Sequence, residues 1–146
     1  MLARVIGRRI QVSEQAQADY LADVALAANF DELLAAATAA ERRFRQAQAT
    51  AAPDSEQYPL ARELDDALTE VMRAAYAARR AEIGPRGYED RIYRRKARAT
   101  PAVHAWTDEA ERLLTLRETH RLTGIPPRPA AVGALPQARA FGAGAA

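Results

Sequence analysis

The chain contains no cysteine. That excludes disulfides, thiolate metal sites, iron–sulfur ligation and cysteine nucleophiles. Lysine is almost missing too: Lys96 stands alone against 20 arginines. Aromatic residues make up only 6% of the chain, and β-branched residues are sparse, so a β-rich fold is not expected. No apolar stretch reaches the roughly 18 residues that a membrane span needs. No apolar run of secretory-signal length follows the early arginines. Serine is limited to Ser13 and Ser55 and histidine to His104 and His120. Neither serine sits in a Gly-x-Ser-x-Gly elbow, and both fall at expected helix caps. The histidines form no His-x-x-x-His or Glu-x-x-His pair, so both read as structural, with His120 placed to favour a helix C-terminus. No Gly-x-Gly-x-x-Gly or P-loop spacing occurs. No catalytic, cofactor-binding or metal-binding residue is therefore assigned, and the chain reads as non-enzymatic.

What remains is a helix-forming composition. The 146 residues suit one domain of ordinary size. Of these, 36 are alanine, which with arginine is among the strongest helix formers. The net charge of +2 does not by itself demand a nucleic-acid or membrane partner. The expected fold is all-α: a small helical bundle of about five helices around a long central helix. A basic N-terminal arm covers 1–12, the helical domain 13–124, and an extended arm rich in proline, glycine and alanine 125–146. The acid-free opening of ten residues resembles an organellar targeting start, but so short a match makes a basic arm the expected reading.

Periodicity and caps place the helices. Ser13 caps a first helix running to about Ala28, with Tyr20, Leu21, Val24 and Ala28 as its apolar stripe. Asn29 and Glu32 form a capping-box pattern for a second helix, whose buried edge is Leu33, Leu34, Ala37 and Phe44. The central helix is expected over 59–83, from Pro59 in its first turn to the stop at Gly84-Pro85. Leu60, Leu64, Leu68, Val71, Ala75 and Ala78 mark its core face. Gly87 to Ala99 reads as a short basic helix ended by Pro101. Thr107 then caps a last helix that buries Ala110, Leu113, Leu114 and Leu116 and stops at Gly124.

Two charged clusters stand out. Glu63, Asp65, Asp66 and Glu70 crowd the central helix, and Glu63, Asp66 and Glu70 can share one face. A magnesium site there would need a second carboxylate helix opposite, for which Asp19 and Asp23 are the only comparable pair. A solvated acidic face, with Arg62 and Arg73 as pairing partners, is the expected reading.

The second cluster is basic. Residues 79–99 carry eight cations and three acids. Within it Arg91, Arg94, Arg95 and Arg98 follow i, i+3, i+4, i+7 and share a helical face, while Tyr88 and Ile92 lie on another. Arginine forks suit carboxylates and phosphates alike, so acidic protein, nucleic acid and plain solvent are the three readings of this face. Over nine residues, Tyr88-Glu-Asp-Arg-Ile-Tyr-Arg-Arg-Lys96 resembles a basic helix stretch in a small helical subunit of the mitochondrial cytochrome bc1 complex. The flanking residues depart from that pattern, and no function is carried over.

The last 22 residues hold four prolines and three glycines, which favour extended backbone. They also carry Ile125, Val132, Leu135 and Phe141, apolar anchors that a plain linker does not need. A helical bundle with a partner-embedding arm resembles viral head-to-tail adaptors. The expected function is thus a structural or adaptor subunit of a larger homo- or hetero-oligomeric assembly, in a virion or the cytoplasm. It binds neighbouring subunits through Arg91, Arg94, Arg95, Arg98 and the four arm anchors. A nucleic-acid-binding helical module and an accessory subunit of an organellar complex are the alternatives.

Overall fold

The computed structural model describes residues 11–129. They form an all-α bundle of five helices, with no strand among the described residues. These are α1 (Glu14–Ala27), α2 (Phe30–Ala49), α3 (Asp54–Ile83), α4 (Arg91–Ala97) and α5 (Pro101–Thr119). A 3₁₀ turn, Pro85–Tyr88, joins α3 to α4, and a π-helical turn, His120–Gly124, extends α5. Most of the basic and extended arms, residues 1–10 and 130–146, lies outside the described residues.

The 30-residue α3 is the spine, about 45 Å long at 1.5 Å per residue, and α1, α2 and α5 all pack on it. Its expected stripe is where the core forms. Leu64, Leu68, Val71, Ala75 and Ala78 are buried and Leu60 is half-buried. Phe44 from α2 and Leu113 from α5 close over it from either side. Ala61, Ala74, Ala75 and Ala77 are fully buried. Where the side chain is a single methyl, the neighbouring backbone can come close. Phe30 at the head of α2 meets Trp106 of α5 edge to face, with centroids 5.0 Å apart.

Two helix starts and one cap differ from the sequence reading. The spine begins at Asp54, not at Pro59, which sits inside it. Pro59 forgoes the bond its N–H would have made to Ser55, while Asp54 and Glu56 complement the positive end of the dipole. Pro101 likewise starts α5 and does not end α4, because its fixed φ suits the first helical position. Thr107 is therefore mid-helix, its hydroxyl donating to the Val103 carbonyl at 2.9 Å. The capping box of α2 does not form: Asn29 precedes the helix, but its side chain donates back to the Ala25 carbonyl.

The stripe assigned to α1 is also corrected. Ser13 caps the helix as expected, accepting from Ala16 N–H at 3.2 Å. Leu21 and Val24 nonetheless face outward, 56% and 40% exposed. The inward face is Ala16, Tyr20, Asp23, Leu26 and Ala27. Asp23 reverses the choice of face because its carboxylate is occupied from across the bundle, by Arg80 (2.7 and 2.9 Å) and by the Tyr88 hydroxyl. Leu116 of α5, expected in the core, is 45% exposed.

The acidic cluster resolves into separate ion pairs. Glu63 pairs with Arg43 and Glu70 with Arg73, both on the surface. Asp65 is different: it is 2% exposed and receives both ends of the Arg121 guanidinium, at 2.6 and 3.1 Å. The Arg121 hydrogen bonds outweigh burial and hold its carboxyl below the ordinary carboxylate value. His120 is buried beside it, its Nε2–H donating to the Ala61 carbonyl at 2.7 Å and its ring edging Phe44. It is a packed core residue, in keeping with its structural reading. His104 is exposed on α5 and lies 3.0 Å from Asp108. Among the described residues no three histidine, aspartate or glutamate side chains group closely enough to hold a metal ion. No helix of the described residues is long and apolar enough to cross a membrane.

Candidate functional site

The arginine-rich segment begins where the spine stops. Gly84 takes φ 94°, ψ 172°, a conformation closed to most side chains, and turns the chain out of α3. The 3₁₀ turn that follows is fastened inward. Gly87 is buried so tightly on Ile83 that a Cβ there would lie 2.3 Å from Ile83 Cγ2. Tyr88 donates to Asp23 and meets Tyr20 edge to face. Burial pushes the Asp23 carboxyl up, but the Arg80 and Tyr88 hydrogen bonds outweigh it and the net direction is down. Burial, and then the bond to Asp23, push the Tyr88 phenol above its ordinary value. Ser13 N–H donates to Glu89 at 3.1 Å, tying this turn to the start of α1.

The backbone breaks between this turn and α4, so the expected continuous helix from Gly87 to Ala99 is two pieces. The consequence is a change of facing. Tyr88 turns into the bundle while Ile92, placed with it on one face by sequence spacing, turns out to 70% exposure.

No residue of α4 is buried. A helix of seven residues has little stability of its own, and this one has no core contact to supply it. Polar fastenings replace the core. Asp90 caps the helix by accepting Tyr93 N–H at 2.9 Å, and that bond leads the causes that lower its pKa. The other Asp90 oxygen receives Arg86 at 3.0 Å, and the same guanidinium lies over the Tyr93 ring, 4.7 Å from its centroid. Arg94 reaches back to the Gly87 carbonyl at 2.7 Å. Arg94, Arg95 and Lys96 complete the C-terminal turn, where cations suit the dipole.

Arg91, Arg94, Arg95 and Arg98 line one recess of about 370 Å³, so the structure brings the four expected arginines together. Their environments are not equal. Arg94 is half-buried and committed to Gly87, whereas Arg91, Arg95 and Arg98 are exposed. Among the described residues no carboxylate pairs with Arg91, Arg94, Arg95, Lys96 or Arg98. A second groove of about 610 Å³ is lined by Arg91, Ile92, Arg95 and Lys96. Ile92 and Lys96 were not among the expected site residues. The available signal was the isolation of Ile92, which has a cation at every nearby helical position on its C-terminal side.

Of the expected arm anchors, Ile125 is half-buried against the chain's own core. Val132, Leu135 and Phe141 lie outside the described residues. Scans of the chain against protein-family models, curated proteins and solved structures returned no match.

Proposed function

We propose that this protein is a non-enzymatic structural or adaptor subunit of a larger assembly, and that α4 is the element by which it docks. One observation carries the reading. A short helix with no buried residue is held in place by caps and staples, and it presents cations that no acidic side chain among the described residues neutralises. The fastening lets so short a helix stand without core contacts and fixes its exposed side chains in place. A docking helix gains from it, because the ordering that binding would otherwise require is already done. Arginine forks match a partner surface of carboxylates. The C-terminal segment rich in proline and glycine, with Val132, Leu135 and Phe141, supplies a second contact to neighbours in the same reading. The arrangement suits a viral head-to-tail adaptor or an accessory subunit of an organellar complex.

The four-arginine recess supports nucleic-acid binding as the second reading, since phosphate oxygens match the same forks. Changing Arg91, Arg95 and Arg98 to glutamine together tests the first. Arg94 is left in place because it holds the fold. The full chain, tagged in its native cells, is expected to elute in a large particle by light scattering, and the triple variant as the free chain with unchanged circular dichroism. A triple variant that still enters the particle overturns the docking role of α4. Nuclease-sensitive assembly with a steep loss on added salt selects the nucleic-acid reading.

A further inference from the structure

The docking reading leaves one side chain of α4 unexplained. A lone exposed isoleucine is ordinary on a protein surface. Ile92 is informative through its setting: it is 70% exposed on a helix fastened by Asp90, Arg86 and Arg94, none of which needs it. Arg91, Arg95 and Lys96 surround it along one groove. An apolar centre inside a charged rim is the layout of a protein–protein contact. A phosphate backbone would use the rim and leave the centre idle. A membrane surface would need a broader apolar face than one isoleucine beside a tyrosine provides.

We propose, resting on the docking role of α4, that its occupant is an acidic protein segment. One apolar side chain of that segment seats on Ile92, and carboxylates on either side of it pair with Arg91, Arg95 and Lys96. At 1.5 Å per residue α4 is about 10 Å long, so the segment engages it over one or two turns of helix or a few extended residues. Arg98, on the recess side, takes a further carboxylate as the segment runs on. Charge brings the two together, and the apolar pair sets which acidic segments stay: a carboxylate run without an apolar residue leaves the Ile92 contact unmade.

The test uses the full chain and a short fluorescein-labelled peptide of glutamates around a central leucine, with a counterpart carrying serine in place of leucine. Anisotropy titration should show the leucine peptide binding at least about tenfold more tightly, the factor that burial of one aliphatic side chain supplies. Ile92→Ser should erase that preference, and joint change of Arg91, Arg95 and Lys96 to glutamine should weaken both peptides. None of these residues is buried, so circular dichroism should match the unmodified chain. Equal binding of the two peptides overturns the apolar anchor, while a loss on removing the cations keeps α4 as the docking element. Insensitivity to both Ile92 and the cations, or no binding of either peptide, removes the acidic segment and leaves the docking role to the assembly experiment above. Tighter binding of a thymidine oligonucleotide or of phosphatidylserine vesicles overturns the choice of occupant.

Discussion

Replacing Asp65 with alanine should cost far more than replacing its neighbour Asp66. Asp65 is 2% exposed and holds Arg121 through two hydrogen bonds, whereas Asp66 is exposed. Losing two charge-assisted bonds from a buried carboxylate would, taken alone, exceed 3 kcal/mol. Two effects offset part of that. Alanine removes the cost of keeping a carboxylate out of water, and the exposed Arg121 head can turn to solvent. The net expected loss is about 2–3 kcal/mol, or about 8–12 °C in Tm for a domain of this size. Asp66→Ala should stay within about 0.5 kcal/mol, as surface changes do. Urea melts of the wild type and both variants, repeated over pH, are the assay. The folded state holds the Asp65 carboxyl below its unfolded value of about 3.9, so its contribution is complete above that value. It fades as pH falls through the lower, folded one. The gap between wild type and Asp65→Ala should therefore be full at neutral pH and shrink in acid. A gap at neutral pH no larger than that of Asp66→Ala would refute the reasoning, and so would one that does not change with pH.

Three further outcomes are expected. Gly87→Ala should destabilise by about 1–3 kcal/mol in thermal melts, because its Cβ would strike Ile83, whose side chain is itself buried. Tyr88→Phe should cost about 1 kcal/mol, and alkaline absorbance titration should show it lacking the late-ionising phenol of the wild type, since burial and Asp23 delay that ionisation. Deleting residues 130–146 should leave the Tm of the isolated chain within a few degrees, because Ile125 and the core it touches are retained, but should weaken entry into the assembly.

The elements that could be read from sequence were those where one signal had no competitor. The α3 stripe repeats without interruption, and Gly84-Pro85 at its end pairs a residue free to take a positive φ with one that cannot continue the helix. The prolines were harder, because the same residue can open a helix or stand beyond its end. Pro101 opens the helix it was expected to precede, and Pro59 lies inside the helix it was expected to open. Asp65 was hidden by Glu63, Asp66 and Glu70, although Ala61, Asp65 and Leu68 fall at i, i+4, i+7 on the core face. Its partner, Arg121, is supplied by an element far along the chain, and no local window contains both. The same holds for Asp23, whose partners Arg80 and Tyr88 decide which face of α1 turns inward. At the candidate site the four arginines could be read from helical spacing. The outward turn of Ile92 could not, because it follows from a break between Tyr88 and Arg91 that a continuous basic helix would have hidden.

The buried alanines of α3 reverse the usual order of mutational severity. At Phe44 or Leu113 the damaging change is truncation. At Ala61, Ala74, Ala75 and Ala77 it is growth: each is fully enclosed, and a valine or leucine there must push a neighbouring helix aside, at about 1–3 kcal/mol per site. Drift among alanine, valine and leucine, harmless in a looser interior, is closed to this seam. The exposed side chains of α4 outside its fastenings, Arg91, Ile92, Arg95 and Lys96, carry no such packing duty. If α4 docks as proposed, exchanging those side chains would alter the partner while leaving the scaffold behind them untouched.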